Sequence, residues 1–191
     1  MRKIISKKKN PNKLNKNQLI VGLALVFLML ISIAGFGFNN SGQENSEKII
    51  YNGFEFQKND DYWVLQIEGN VFVFKNNPEQ TEEIVNSEKN LEKINNYLNK
   101  PLYIYSKDAL AKQEIINSVS RFVLRTSNAC PEGKVCEEDW PVKNCSNNFI
   151  IISYGDEKIS QQEGCVFIQG SEENLLKVVD EFIFNVLGIK E

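Results

Sequence analysis

Between Leu19 and Phe38 the chain runs for twenty residues without a charged side chain, and Ser32 is the one polar residue among them. At about 1.5 Å per residue a helix of that length reaches about 30 Å, the thickness of the hydrocarbon core of a bilayer. A run of this kind has three fates: a membrane span, a cleaved signal sequence, or a helix buried in a soluble core. The flanks choose among them. Arg2, Lys3, Lys7, Lys8, Lys9, Lys13 and Lys16 precede it with no acidic residue, and Asn39, Asn40, Ser41, Gly42, Gln43 and Glu44 follow. The positive-inside rule then predicts a basic cytoplasmic tail over 1–18 and a single-pass signal-anchor helix in the lipid bilayer over 19–38. It places a polar stalk over 39–48 and an extracytoplasmic α/β domain over 49–191 at the outer face of the cell membrane. The apolar run is longer than the usual 7 to 15 residues (about) of a cleaved signal, although Ala34, Gly35 and Gly37 offer small side chains to a processing enzyme. Gly22, Gly35 and Gly37 form no four-residue spacing, so no glycine packing motif marks the span for pairing.

Charge divides the same way. All 25 acidic residues follow residue 38, where 15 basic ones accompany them, leaving the outer part at net −10 and the inner arm at +7. So acidic an outer part argues against nucleic acid as its partner, because that binding relies on basic side chains neutralising phosphates. Histidine is absent. A catalytic or metal site would have to be built from carboxylates, Cys, Lys, Tyr, Ser or backbone groups.

The patterning beyond the stalk predicts one mixed sheet. Tyr51 to Lys75 reads as three strands of an antiparallel meander with Trp63, Leu65 and Ile67 facing the core, and Gly69 or Asn70 takes a turn of positive φ. Asn77-Pro78-Glu79-Gln80 has the residues of a capping box with proline at N1, and Ile84, Leu91, Ile94 and Leu98 follow at helical spacing, so a helix is predicted over 79–97. Pro101 to Ser106 reads as a strand, and Asp108 as the cap of a helix carrying Leu110, Ala111, Ile115, Ile116, Val119, Phe122 and Val123. Residues 126 to 148 read as a loop. Phe149 to Ile152 has the continuous apolar character of a central strand, Ile159 starts a short edge strand, and Cys165 to Ile168 forms another. Ser171 is expected to cap a final helix with Leu175, Val179, Phe182, Ile183 and Val186 on its face and Gly188 at C′. The predicted order is βββ-α-β-α-loop-β-β-α, a mixed five- or six-stranded α/β (α+β) sheet with a pinned loop.

Four cysteines, Cys130, Cys136, Cys145 and Cys165, fall in or just after that loop. In an oxidising space they make two disulfides, each contributing about 2–4 kcal/mol by restricting the unfolded chain. Spacing alone leaves three connectivities open. The small Pro-Glu-Gly loop favours Cys130 with Cys136, which leaves Cys145 to tie the long loop to a strand through Cys165. The gaps do not match the C-x₂₋₄-C pairs of zinc sites, and no C-x-x-C supports thiol chemistry. N-x-Ser sequons at Asn39 and Asn144 are candidate glycosylation positions.

Other features have both a functional and a structural reading. Gly170-Ser171 opens a helix whose free amides suit an anion, or is an ordinary capped turn. Glu137, Glu138 and Asp139, with Asp156 and Glu157, supply carboxylates for acid–base work or Ca²⁺, or form a solvated rim. Trp140, beside Pro141 and Val142 in a cystine-held loop, forms a partner surface or fills the base of the loop. With no nucleophile-and-base arrangement, no cofactor motif and no evident small-molecule substrate, the sequence favours a non-enzymatic membrane-anchored domain. That domain would bind a protein partner or serve as an accessory subunit of a membrane or envelope complex. The alternatives are a carboxylate-based envelope hydrolase and a redox or metal-handling domain using the four cysteines.

Overall fold

The first hairpins form where a residue of positive φ meets a glycine. Asn52 and Gly53 (φ 47° and 85°) turn the chain between β1 (Lys48–Tyr51) and β2 (Phe54–Asn59). Glu68 and Gly69 (φ 49° and 80°) do the same between β3 (Tyr62–Ile67) and β4 (Asn70–Phe74). Both are two-residue turns whose twist matches that of the strands they join. The structure, a computed structural model, describes residues 47–88 and 91–190. The tail 1–18, the apolar run 19–38 and most of the stalk lie outside the described residues. Among those described, no helix is long and apolar enough to cross a membrane.

Beyond β4 come α1 (Pro78–Glu82), β5 (Asn86–Ser87), a 3₁₀ turn (Ile94–Asn96), β6 (Pro101–Ser106), α2 (Ala109–Val119) and β7 (Arg125–Asn128). They are followed by β8 (Cys130–Pro131), β9 (Val142–Lys143), β10 (Phe149–Tyr154), β11 (Lys158–Gln162), β12 (Cys165–Gly170) and α3 (Leu175–Val186). The mixed α/β character is as expected, but the strands are shared differently. β1 to β4 form a separate four-stranded antiparallel sheet in chain order, not part of the mixed one. The six-stranded sheet runs β5-β11-β12-β10-β6-β7, and β8 pairs with β9 on its own. Sheet membership depends on pairings between distant segments, which local patterning does not record.

The helix expected over 79–97 is not formed. Its start is right: Asn77 Oδ1 accepts from the Gln80 amide and Gln80 Oε1 from the Asn77 amide, both at 2.9 Å. After five residues the chain leaves the helix, and Asn86 and Ser87 pair in parallel with Lys158 and Ile159 of β11. Asn and Ser compete with helical hydrogen bonds, so a sheet edge offering partners wins here. Leu91 and Tyr97 still reach the core.

The two sheets are held together by α3. Its residues from Val178 to Val186 are all buried, so the helix has no solvated face over that length. On one side Phe184 meets Phe56 at 5.7 Å and Phe74 at 4.7 Å, between ring centroids, on the four-stranded sheet. On the other α3 packs against β12 and β11 of the six-stranded sheet, within one core that includes Leu102, Ile104, Ile150, Ile152, Val166 and Ile168. Buried side chains of this size contribute about 1.5–3 kcal/mol each.

A helix buried all round has to satisfy its own polar residues. Glu181 pairs with Lys190 at 2.6 Å and accepts from Thr81 Oγ1 at 2.6 Å, and Asn185 Nδ2 donates to its carbonyl at 2.8 Å. Asp180 accepts from the backbone and side chain of Asn76 through Oδ2, at 2.9 and 2.8 Å. Its Oδ1 is buried with no hydrogen-bond partner among the described residues, and burial, with the Glu114 charge nearby, holds the carboxyl well above its usual range.

Among the described residues, no helix covers the opposite face of the six-stranded sheet. There Tyr103, Tyr105, Phe149, Ile151, Cys165 and Phe167 are packed under Ala129, Cys136, Trp140 and Cys145, all from the cystine-bearing segment. That segment, expected from sequence to be a loop over 126–148, contains short strands instead: Arg125–Asn128 extends the sheet beside β6, and Cys130–Pro131 pairs with Val142–Lys143.

Candidate functional site

The cystine-bearing segment is fixed at three places. Cys130 is bonded to Cys136 and Cys145 to Cys165, and no cysteine among the described residues is free. Gly164 gives the third: its amide donates to the Cys145 carbonyl and its own carbonyl accepts from the Phe149 amide, both at 2.9 Å. A Cβ at Gly164 would collide with the carbonyls of Asn147 and Cys145, so glycine permits this approach. Two lysines of the segment lie over tyrosines of the sheet, Lys134 Nζ at 4.5 Å from the Tyr105 ring and Lys143 Nζ at 4.6 Å from Tyr103. Hydrogen bonding to Arg125, with the Lys143 charge beside it, lowers the Tyr103 hydroxyl below its ordinary range.

The sheet places a cleft under this segment. From β6 the chain winds outward to β7, then returns to the other side of β6 as β10 and continues away to β12. The winding therefore reverses between β6 and β10, and a crevice opens at the carboxyl ends of strands at such a point. A cleft of about 640 Å³ lies there, with Tyr105, Ser106 and Lys107 from the end of β6, Lys112 from α2, and Cys136, Glu137, Glu138 and Trp140 from the cystine segment. A hollow of about 80 Å³ shares Tyr105 and Lys107 with it and reaches Ser153 and Tyr154 at the end of β10.

Trp140 is half-buried, edge-on to Tyr105 with ring centroids 6.3 Å apart. It therefore fills the base of the loop on one side and lines the cleft on the other. Pro141 and Val142 are exposed, Val142 to 62% and Val135 nearby in sequence to 96%. The cleft thus has an aromatic floor, three lysines around it counting Lys134, and Glu137 and Glu138 on its rim. Such a lining suits a segment with both apolar and charged groups.

The acidic clusters do not converge. Glu137 and Glu138 face the cleft, Asp139 and Asp156 are exposed, and Glu157 is engaged elsewhere. Among the described residues no group of three or more His, Cys, Asp or Glu side chains is placed to hold a metal. Asp108, beside the hollow, has both oxygens occupied: Oδ1 accepts from the Ala111 amide at 2.8 Å as the N-cap of α2, and Oδ2 from the Tyr154 hydroxyl at 3.1 Å. That bond raises the Tyr154 hydroxyl above its ordinary value.

Ser171 is not the cap of α3, which begins at Asn174 and Leu175. Its hydroxyl donates to Glu157 Oε1 at 2.7 Å, and Asn174 Nδ2 donates to the same oxygen at 3.0 Å. The anion held at the Gly170-Ser171 turn is therefore the chain's own carboxylate, and these hydrogen bonds lower Glu157 to about 2. Local patterning carries no sign of this partnership, because Glu157 and Ser171 lie fourteen positions apart. Of the sequons, Asn39 lies outside the described residues, and Asn144 is exposed with Oδ1 accepting from the Ser146 hydroxyl at 2.7 Å.

No protein-family model matches the chain, nor does any curated protein or solved structure, so its functional reading rests on its own residues.

Proposed function

We propose that the chain is a membrane-anchored, non-enzymatic extracytoplasmic domain that binds a protein partner, as an accessory subunit of a membrane or envelope complex, through the rim formed by Trp140, Pro141 and Val142. The observation that carries this reading is the pair of cystines holding a segment whose apolar side chains are only partly used for packing. Cys130–Cys136 and Cys145–Cys165 give rigidity without burial, so Val142 and Val135 stay available to a partner while Trp140 is braced on Tyr105. Rigid apolar residues lose little entropy on binding and make good anchors. Disulfides also suit an oxidising compartment, the side of the membrane to which the basic tail and apolar run assign residues 49–191.

Photo-crosslinking in native membranes tests the proposal. A photoreactive residue at Val142 is expected to capture one protein species, and Trp140→Ala is expected to abolish the capture while leaving both disulfides formed. Capture of lipid and self alone, or capture unchanged by Trp140→Ala, would remove the proposed partner surface.

A further inference from the structure

β4 is the outer strand of its sheet, and its backbone faces two ways. The two-residue turn at Glu68–Gly69 closes on Ile67 and Asn70 as a hydrogen-bonded pair. Counting along the antiparallel register, Phe72 and Phe74 exchange bonds with Leu65 and Trp63. Val71 and Val73, opposite Gln66 and Val64, therefore turn their amides and carbonyls away from β3. The Arg121 guanidinium marks the same direction, donating to the Val71 carbonyl at 3.2 Å. Among the described residues, neither backbone group of Val73 meets a backbone partner outside the β3 ladder. Nor does β4 carry the lysine or proline with which exposed edges are usually blunted.

This edge is one wall of a groove of about 820 Å³, and α2 is the other. Val71, Val73 and Lys75 stand across from Leu110 and Asn117, on one stripe of α2, and from Arg121 in the turn just past its end. The groove is apolar where it is open: Leu110 is 70% exposed, and Val71, Val73 and Tyr62 are each about half exposed. Of its exposed charges, Lys75 lies 3.9 Å from Asp61, whereas Arg121 has no carboxylate partner among the described residues, and Glu114 is half-buried.

We infer that this groove receives an extended segment of a partner protein, adding to β4 as a further strand, with apolar side chains at every second position and carboxylates between them. A strand supplies the two backbone groups that Val73 lacks, and alternation sends its apolar side chains toward Val71, Val73 and Leu110. Its carboxylates, sent to the opposite face, meet the Arg121 guanidinium, which lies over the Phe72 ring on that side. A second copy of this chain fits less well, since its own α2 stands beside its β4 and would be carried into the groove with it. This surface is separate from the cystine-held rim, so the inference stands or falls independently of the function proposed above.

The test uses the full-length protein in detergent micelles and two blocked hexapeptides, one alternating valine with glutamate and one alternating valine with lysine. The glutamate peptide is expected to shift the amide resonances of Val71, Val73 and Lys75 saturably and to bind about tenfold more tightly than the lysine peptide, the effect of one favourable charge pair. Val73→Pro, which an outward-facing edge position tolerates, is expected to abolish binding. Arg121→Glu is expected to reverse the charge preference and tests the groove even if the proline variant does not fold. No saturable shift with either peptide, equal or tighter binding of the lysine peptide, or retained binding by a folded Val73→Pro protein would overturn the inference. Self-association that Val73→Pro removes, with no response to peptide, would overturn it in favour of a second copy.

Discussion

The six-stranded sheet is covered differently on its two faces. One face rests on α3 and α2, whose backbones satisfy their own hydrogen bonds and whose side chains bury a continuous apolar surface. The other lies under a segment with little regular structure, few apolar residues and two disulfides. A helix can cover a sheet by packing alone. A loop of this composition needs covalent restraint, because its apolar contacts do not offset the entropy of ordering it. The difference has a functional side: residues on the packed face are committed to the fold, whereas those on the restrained face, such as Val135 and Val142, are held in place without being buried.

That contrast can be broken most severely on the helical face. Phe184→Ala removes the ring that joins α3 to Phe56 and Phe74 and is expected to cost about 3–5 kcal/mol, read from the denaturant midpoint of the full-length protein. Lys190→Met leaves Glu181 buried without its cation and is expected to cost roughly 3–5 kcal/mol. Adding Glu181→Leu is expected to recover most of that loss, since an apolar pair carries no desolvation penalty. Replacing Cys145 and Cys165 together by serine should cost about 2–4 kcal/mol, but with a different signature. Amide exchange is expected to rise over residues 126–148 while α3 keeps its protection; equal loss of protection in both would mean the two faces do not differ in this way.

Smaller effects follow from two of the perturbed carboxyls. Asp180 titrates above its usual range, so the stability it favours is present at low pH and is lost as pH rises through the elevated folded value. Asp180→Asn is therefore expected to flatten the fall in stability that sets in as pH rises above the ordinary aspartate value of about 3.9, measured as midpoint against pH. Glu157 behaves oppositely. Its folded value of about 2 lies below the ordinary glutamate value of about 4.3, so its contribution is present above the latter and is lost as pH falls through the former. Glu157→Gln should shift acid unfolding only within that window.

Local chemistry was legible in the sequence. The capping box at Asn77, the Asp108 cap, Gly188 after α3 (φ 75°) and strand β10 all depend on near neighbours. The cystine pairing favoured from the short loop is also the one present. Failures came where distant segments compete. Ile84, Leu91 and Ile94 imitate a helical stripe, yet β11 draws Asn86 and Ser87 into a sheet. Ser171 has the residue type of a cap, but its hydroxyl donates to Glu157 instead. In α3 the burial is written in the sequence itself: apolar residues on every side, interrupted only by Lys177, Asp180, Glu181 and Asn185, leave no room for a solvated face. At the candidate site, the cleft at the end of β6 could not be foreseen, because it exists only once β10 returns beside β6.

Labelling of intact cells tests the central claim most directly, that residues 49–191 work as a disulfide-held domain outside the membrane. With a membrane-impermeant lysine reagent outside and a thiol-alkylating agent present during lysis, Lys134 and Lys143 should be modified, the tail lysines Lys7 to Lys16 spared, and no cysteine alkylated. Modified tail lysines with Lys134 and Lys143 untouched, together with four alkylated cysteines, would contradict it.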